Sequence, residues 1–187
     1  MATHVALLRG VNVGGVKLAM ADLRTVVAGL GHAGVATYIQ SGNVLFSTER
    51  EDTAELAAEL ETAIAGALTV RPKVIVLSRA ELARVVRDNP YPDEPNPKAL
   101  HAVFLSAEPA PERRAAVAAA QQAAAAKGSR DTAAYVGRVL YLHTPDGYGR
   151  SELAARLSRP SGRLAAGEAA TARNWATVTK LLGLCDS

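Results

Sequence analysis

The sequence predicts an α+β protein made of two similar units, and three observations support this fold class. Apolar periodicity in residues 4–78 alternates between strand and helix in the order β-α-β-β-α-β. Part of the same order returns after residue 98. Residues 89–98, which contain four prolines, separate the two stretches. Because proline removes a backbone donor and fixes φ, we expect this segment to be an irregular linker.

The first unit is predicted from segments of regular apolar spacing that lie between turn residues. We expect strands at residues 4–8, 35–40, 44–48 and 73–78, and helices at 20–31, 52–68 and 79–88. Ser41, Gly42 and Asn43 have the composition of a turn between the second and third strands. The order of elements is that of the ferredoxin-like fold. Residues 1–88 are therefore expected to form a ferredoxin-like subdomain with one extra helix.

The second unit, residues 99–187, is predicted to repeat the βαββα part of the first. We expect a strand at 100–106, a helix at 111–128, a hairpin at 132–144, helices at 150–158 and 172–183, and a loop at 159–168. The hairpin turn at Gly137-Arg138 has a type II′ signature. The spacing from first strand to hairpin is 33 residues in one unit and 32 in the other, which indicates an internal duplication. No last strand is predicted for this copy.

The most informative stretch is "RGVNVGGVK", Arg9–Lys17, a charged and glycine-rich loop at the end of a buried strand. In a ferredoxin-like unit, the end of the first strand, the start of the first helix and the hairpin turn lie on the same edge of the sheet. We therefore expect residues 9–17 and 40–43 to be neighbours in space. The candidate ligand-binding residues at this edge are Arg9, Gly10, Asn12, Gly14, Gly15, Lys17, Gln40, Ser41 and Asn43.

This set of residues suits an anion, and a phosphate in particular. Glycine lets the backbone turn several N–H groups toward one point, and a helix start adds partial positive charge. The loop is not a standard nucleotide motif, because its lysine comes one place late for a Walker A sequence and Leu18 replaces the magnesium-binding Ser or Thr. The alternative is that the glycines only let the loop turn and that Arg9 and Lys17 are solvated.

A second polar cluster, Arg173 and Asn174, falls in the first turn of the predicted last helix, with Thr171 as its expected cap. One interpretation is a terminal helix that Trp175 anchors by packing. The other is that Arg173 and Asn174 reach into the same polar groove as the first loop. Both interpretations remain open at this stage.

Composition narrows the function classes. No apolar run of about 18 residues and no signal peptide are evident, and the single cysteine, Cys185, suits a reducing compartment. We expect a cytoplasmic protein without a membrane association. The four histidines have no metal-ligand spacing and no nucleophile motif is present, so we expect no metal and no cofactor. Residues 99–187 carry a net charge of +4, which is too little to establish nucleic-acid binding.

Five segments of the sequence are distinctive: "ALLRGVNVGG", "TYIQSGNVLF", "NPYP…PK…H", "LYLHTPDGYGRSEL" and "TARNWATVTKLL". Together they resemble a family of bacterial proteins, the domain of unknown function 1697. The resemblance spans nearly the whole chain, and it implies an α+β fold. Two departures are evident: the loop after Gly15 is shorter than the usual Lys/Asn-rich version, and Glu152 stands where a lysine is usual.

From these observations we favour a binding module for a phosphate-bearing ligand, a nucleotide or RNA, over an enzyme. The small number of aromatic residues counts against RNA, because sheet-face RNA binders stack bases on exposed rings. Two alternatives stay open. One is a structural or protein-interaction domain. The other is an enzyme without metal or covalent chemistry, in which Arg9, Asn12, Gln40 and Ser41 orient a small anionic substrate.

Overall fold

The computed structural model describes residues 1–158 and 168–187. The predicted loop at 159–168 therefore lies, except for Glu168, outside the described residues. The chain forms two compact units: Met1–Arg84 together with Thr179–Ser187, and Val85–Val178. These bounds place residues 179–187 with the first unit, whereas the sequence analysis assigned them to the second. Among the described residues, no helix is both long and apolar enough to cross a lipid bilayer.

The first unit has the predicted order of elements. It consists of β1 (His4–Leu8), α1 (Met20–Gly29), β2 (Ala33–Tyr38), β3 (Asn43–Ser47), α2 (Thr53–Ala67), β4 (Val74–Ser78) and α3 (Arg79–Arg87), the last of which continues past residue 84. Its antiparallel sheet has the strand order β2-β3-β1-β4. Strand β1 is paired on both sides in the middle of the sheet. All five of its residues are buried.

The core of this unit lies between the sheet and helices α1 and α2. Apolar side chains recur at helical spacing on α2, where Leu56, Leu60 and Ile64 are completely buried. They pack with Leu23 and Val27 of α1. Asp52 caps the start of α2, since its carboxylate accepts hydrogen bonds from the N–H groups of Ala54 and Glu55. The strand side chains in the same cluster are Ala6, Leu8, Val44, Phe46, Val74 and Val76.

The hairpin between β2 and β3 differs from its prediction. Strand β2 ends at Tyr38, two residues before the predicted end, and residues 39–42 form the turn. Ile39 adopts a φ of +49°, a conformation that a strand residue does not have. Asn43, predicted as a turn residue, is completely buried in β3 and pairs with Leu7 of β1.

The second unit repeats the architecture of the first. Its elements are β5 (Leu100–Leu105), α4 (Pro111–Ala125), β6 (Thr132–Val136), β7 (Val139–His143), a 3-10 turn (Tyr148–Arg150), α5 (Glu152–Leu157), β8 (Ala170–Asn174) and the start of α6 (Trp175–Cys185). Its antiparallel sheet has the order β6-β7-β5-β8, which is the order of the first sheet. The fold is therefore α+β with two repeated units.

Strand β8 corrects the sequence analysis, which predicted no last strand and began the final helix at residue 172. Residues 170–174 pair with β5 over five positions, and α6 begins only at Trp175. Thr171 is consequently not the helix cap, and it is buried in the strand. Instead, the Asn174 Oδ1 accepts a hydrogen bond from the N–H of Ala176 at 2.9 Å. This bond satisfies one of the free backbone donors in the first turn of α6.

The first strand of each unit ends with the same kind of backbone hydrogen bond. In the first unit, the N–H of Leu8 donates to the carbonyl of Gly42 in the hairpin turn at 2.8 Å. In the second, the N–H of Leu105 donates to the carbonyl of Arg138 in the equivalent turn at 2.9 Å. This common pattern agrees with the predicted internal duplication. Gly137 has a φ of +53° and Arg138 is not in the left-handed region, as the type II′ signature requires.

Gly42 provides a test of how closely the hairpin turn is packed on the end of β1. A Cβ at this position would lie 2.5 Å from Val11 Cγ2 and 2.8 Å from Leu8 Cβ, and φ is +74°. We expect Gly42→Ala to lower the free energy of unfolding by about 2–5 kcal/mol, from overpacking and backbone strain together. Gly15→Ala is the matched control, since its φ of +88° is equally unfavourable but the space around it is open. Its expected cost is about 1–2 kcal/mol. Urea denaturation measures both, and equal losses would contradict the packing.

His101 in β5 provides a test of pH dependence. Its ring packs against the Tyr148 ring at 4.4 Å between centroids, and burial lowers its pKa below the ordinary value. The unfolded chain therefore takes up this proton at a higher pH than the folded chain does. The neutral His101 ring therefore lowers the free energy of unfolding only at acidic pH. This loss is absent well above about pH 6.5, the unfolded-state pKa, and it grows as the pH drops from there toward the folded-state pKa. We expect His101→Phe to lose less stability between pH 7.5 and 5 than the natural chain, as measured by urea midpoints. Parallel losses in the two proteins would show that His101 does not contribute.

Candidate functional site

The glycine-rich loop follows β1, which lies between β3 and β4 in the sheet. Backbone hydrogen bonds connect the end of β1 and the start of the loop to the chain next to both of these strands. After the bond from Leu8 to Gly42, the N–H of Arg9 donates to the carbonyl of Lys73 at 2.8 Å. Lys73 immediately precedes β4. The loop thus begins at a defined place on the sheet edge, and it ends at Met20, the first residue of α1.

Asn12 joins the loop to the hairpin turn through its side-chain amide. Its Nδ2 donates to the carbonyl of Gln40 at 2.7 Å and to that of Leu18 at 2.9 Å. Its Oδ1 accepts the N–H of Leu18 at 2.8 Å. Asn12 has a φ of +54°, and asparagine is among the few residues that adopt this conformation readily. These bonds confirm that residues 9–17 and 40–43 are neighbours on one edge.

The middle of the loop is a tight turn built on glycine. The N–H of Val16 donates to the carbonyl of Val13 at 3.1 Å, and the two residues between them, Gly14 and Gly15, have φ values of +58° and +88°. A side chain would be strained at either position. Within the described part of the chain, the N–H groups of Gly14 and Gly15 have no hydrogen-bond acceptor. They are available to a ligand.

Two cationic side chains flank this turn. Arg9 and Lys17 are exposed, and neither side chain has an ionic or hydrogen-bonding partner among residues 1–158 and 168–187. Lys73, in contrast, pairs with Glu61 at 2.9 Å. Arg71 is a further exposed cation on the segment that precedes β4, and the sequence analysis missed it because no motif surrounds it. The edge therefore has positive charge that the described residues do not neutralise.

The hairpin side of the site has one exposed amide and two residues that hold the turn. Gln40 is exposed, and its backbone carbonyl receives the Asn12 amide. The Asn43 Nδ2 donates to the Tyr38 carbonyl at 3.0 Å and to Ser41 Oγ at 2.9 Å. The buried Asn43 side chain thus stabilises the hairpin turn. Of the three predicted hairpin residues, Gln40 is exposed, Ser41 is half-buried and Asn43 is buried.

A carboxylate limits the positive region at the start of α1. A small recess of about 240 Å³ beside the loop is lined by Lys17, Asp22 and Thr69 among others, and its lining does not include residues 40–43. Asp22 lies in the first turn of α1, where it interacts favourably with the helix dipole and repels an anion. The described geometry therefore favours an anion near Arg9 and the glycine turn over one at the helix start.

Arg173 and Asn174, the remaining candidates, have local partners in the second unit. Arg173 is buried in β8, where its Nη1 donates to Thr171 Oγ1 and to the carbonyl of Ala172, both at 2.8 Å. Burial lowers the pKa of Arg173 to about 10. Asn174 caps α6, as described above. Their participation in the site of the first loop stays a prediction.

His143 has a structural role in the second unit. His143 Nε2 lies 2.5 Å from Glu94 Oε2 and its ring packs against that of Tyr91, which attaches the proline-rich segment to β7. The N–H of Asn96 and the His143 side chain together hold the pKa of Glu94 below its usual value. No group of three or more potential metal ligands occurs in the described ranges, 1–158 and 168–187.

The fold and the site define a class: a two-repeat α+β protein with a glycine-rich loop pinned to a hairpin turn. The model of a family described as a protein of unknown function (DUF1697) matches residues 1–141, and the chain belongs to this family. A solved structure, that of the conserved bacterial protein SP0830 from Streptococcus pneumoniae, is similar with a TM-score of 0.70. The two sequences are 22% identical, with 98% of each chain covered, so the likeness shows the fold alone. No curated protein matches the chain.

The Asn12 amide is expected to determine the stability of the loop. Asn12→Ala removes three hydrogen bonds and places alanine at positive φ, which should cost about 2–4 kcal/mol of unfolding free energy. Asn12→Gly removes the same bonds but tolerates the φ value, so it should cost about 1 kcal/mol less. Amide hydrogen exchange gives a local readout, because the N–H of Leu18 loses its acceptor in both variants. Unchanged protection of Leu18 would mean that Asn12 does not hold the loop.

Proposed function

We propose that this chain binds a phosphate-bearing ligand, a nucleotide or RNA, at the edge formed by residues 9–17 and 40–43. One observation supports this function above the others. Two exposed cations without described partners, Arg9 and Lys17, flank a turn whose glycine N–H groups lack described acceptors. Cations and free backbone donors are the groups that proteins use to bind phosphate.

The contacts follow from the chemistry of these groups. The planar guanidinium of Arg9 suits a bidentate, charge-assisted contact with two phosphate oxygens. Lys17 adds a point charge, and Gly14 and Gly15 add neutral donors. Because Asn12 holds the loop before any ligand arrives, little conformational entropy is lost on binding.

Binding and orientation fit this edge better than catalysis. Residues 9–19 and 39–43 contain no histidine, cysteine or carboxylate, so the edge carries hydrogen-bond donors and cations and none of the usual general bases. We place this activity in a bacterial cytoplasm, in keeping with the resemblance to bacterial proteins and with the single cysteine.

The test is isothermal calorimetry with 5′-AMP and with inorganic phosphate. Since a hydrogen bond to a charged group contributes about 1.5–3 kcal/mol, Arg9→Ala should weaken binding of either probe by roughly ten- to a hundredfold. The variant should keep its urea midpoint, because an exposed arginine contributes little core packing. Arg50→Ala is the matched control. Arg50 follows the end of β3 that lies away from the hairpin turn, and it forms an exposed ion pair with Glu59. Its replacement removes the same charge as Arg9→Ala and should leave the affinity for both probes unchanged.

Salt dependence separates the two ligand classes. Binding of an RNA strand should weaken steeply with salt because counterions are released, whereas binding of a mononucleotide should change less. No heat from any phosphate probe at millimolar concentration, or equal affinities for the natural chain and Arg9→Ala, would contradict the proposed function.

A further inference from the structure

Three large apolar side chains are exposed at this same edge. Val13 is 60% exposed, Val16 41% and Ile39 50%. Val13 follows Asn12 and Ile39 precedes Gln40, and these two polar residues are joined by the 2.7 Å bond from Asn12 Nδ2. The loop and the hairpin turn thus each present aliphatic surface beside the cationic groups. Exposed apolar side chains grouped with polar ones are typical of ligand-contacting surfaces.

Ile39 is the most unusual of the three. Its φ of +49° lies in the left-handed region, where a β-branched side chain is a genuine outlier. Glycine, asparagine or aspartate would take this turn position at less cost, and the half-exposed side chain buries too little surface to repay the strain. Backbone strain that packing does not explain concentrates at ligand-binding positions. The isoleucine side chain itself is therefore the feature that needs an explanation.

We infer that Val13 and Ile39 form an apolar platform for the base of a mononucleotide whose phosphate is held by Arg9 and the glycine turn. This inference rests on the proposed function, and it specifies the ligand class as a nucleoside monophosphate. A nucleobase is flat and largely apolar on its faces, and aliphatic side chains can cover such a face. Its edge is polar, and the site supplies a polar group to match it.

That polar group is Gln40. Its side chain is exposed and has no partner in the described part of the chain, and it follows Ile39 directly. A carboxamide offers one acceptor and two donors, the complement of the adjacent donor and acceptor on the edge of adenine. The combination of an aliphatic platform with a neighbouring carboxamide favours an adenine nucleotide as the first probe.

Charge complementarity favours a mononucleotide over a strand. Arg9 and Lys17 together carry two positive charges at the glycine turn, which matches the dianion of one phosphate monoester. A strand needs a track of cations and, in general, aromatic rings on which successive bases stack. Residues 9–19 and 39–43 contain no aromatic residue. Beyond Lys17, Asp22 ends the positive region.

The experiment compares 5′-AMP with ribose 5-phosphate, which lacks the base, by calorimetry on the natural chain and on Ile39→Gly. Glycine tolerates the φ value, so the thermal midpoint should stay equal or rise. Loss of the apolar contact should weaken 5′-AMP binding by about tenfold, while ribose 5-phosphate binding stays unchanged. Val136→Ser is the matched control. It truncates a 38% exposed valine in the hairpin of the second unit and should change neither affinity.

The outcomes separate this inference from the proposed function. The apolar platform would be contradicted if the natural chain had equal affinities for 5′-AMP and ribose 5-phosphate. It would also be contradicted if Ile39→Gly weakened the binding of both ligands equally. Either result would still be compatible with phosphate binding at Arg9 and the glycine turn. Binding of oligoadenylate without binding of 5′-AMP would also overturn it, in favour of a strand. If neither phosphate ester nor inorganic phosphate binds the natural chain, the proposed function and the inference both fail.

Discussion

The side-chain amide of Asn12 is the constraint on which the arrangement of the site depends. The loop between β1 and α1 contains three glycines at positive φ, so its backbone alone permits many conformations. Three hydrogen bonds from one side chain connect the loop to itself at Leu18 and to the hairpin turn at Gln40. Arg9, the glycine turn and Gln40 keep their relative positions because of this connection.

Much of the first unit was predictable from sequence because its signals are local. Buried strands without polar interruptions, helices with apolar residues every three or four positions, and the turn composition near Gly42 each predicted their element. Spacing alone predicted the repeat, and the fold topology then placed residues 9–17 beside 40–43. Asn12 was predicted at the site, but as a ligand-binding residue, and its two partners showed that it also holds the loop.

The features that sequence reasoning missed depend on tertiary contacts. Strand β8 has the sequence ATARN, in which Thr171 and Arg173 face inward and appear polar in any hydrophobicity pattern. Pairing with β5 and the Arg173–Thr171 hydrogen bond make those inward positions acceptable. The left-handed conformation of Ile39 has no sequence signal at all, because isoleucine is a strand former and "TYIQ" has the composition of a strand.

The duplication has a consequence for binding stoichiometry. The second unit ends its first strand with the same backbone bond to its hairpin turn, but its loop, residues 106–110, contains Glu108 and no glycine. Glu108 pairs with Arg114 and lies close to Gly137 of that turn. The equivalent edge therefore carries a carboxylate together with Arg114 and Arg138, whereas Arg9 and Lys17 of the first unit have no partner among the described residues. Two copies of one architecture thus differ in loop composition and local charge among the described residues. The proposed phosphate site is therefore expected once per chain, and a titration should reach saturation at one equivalent.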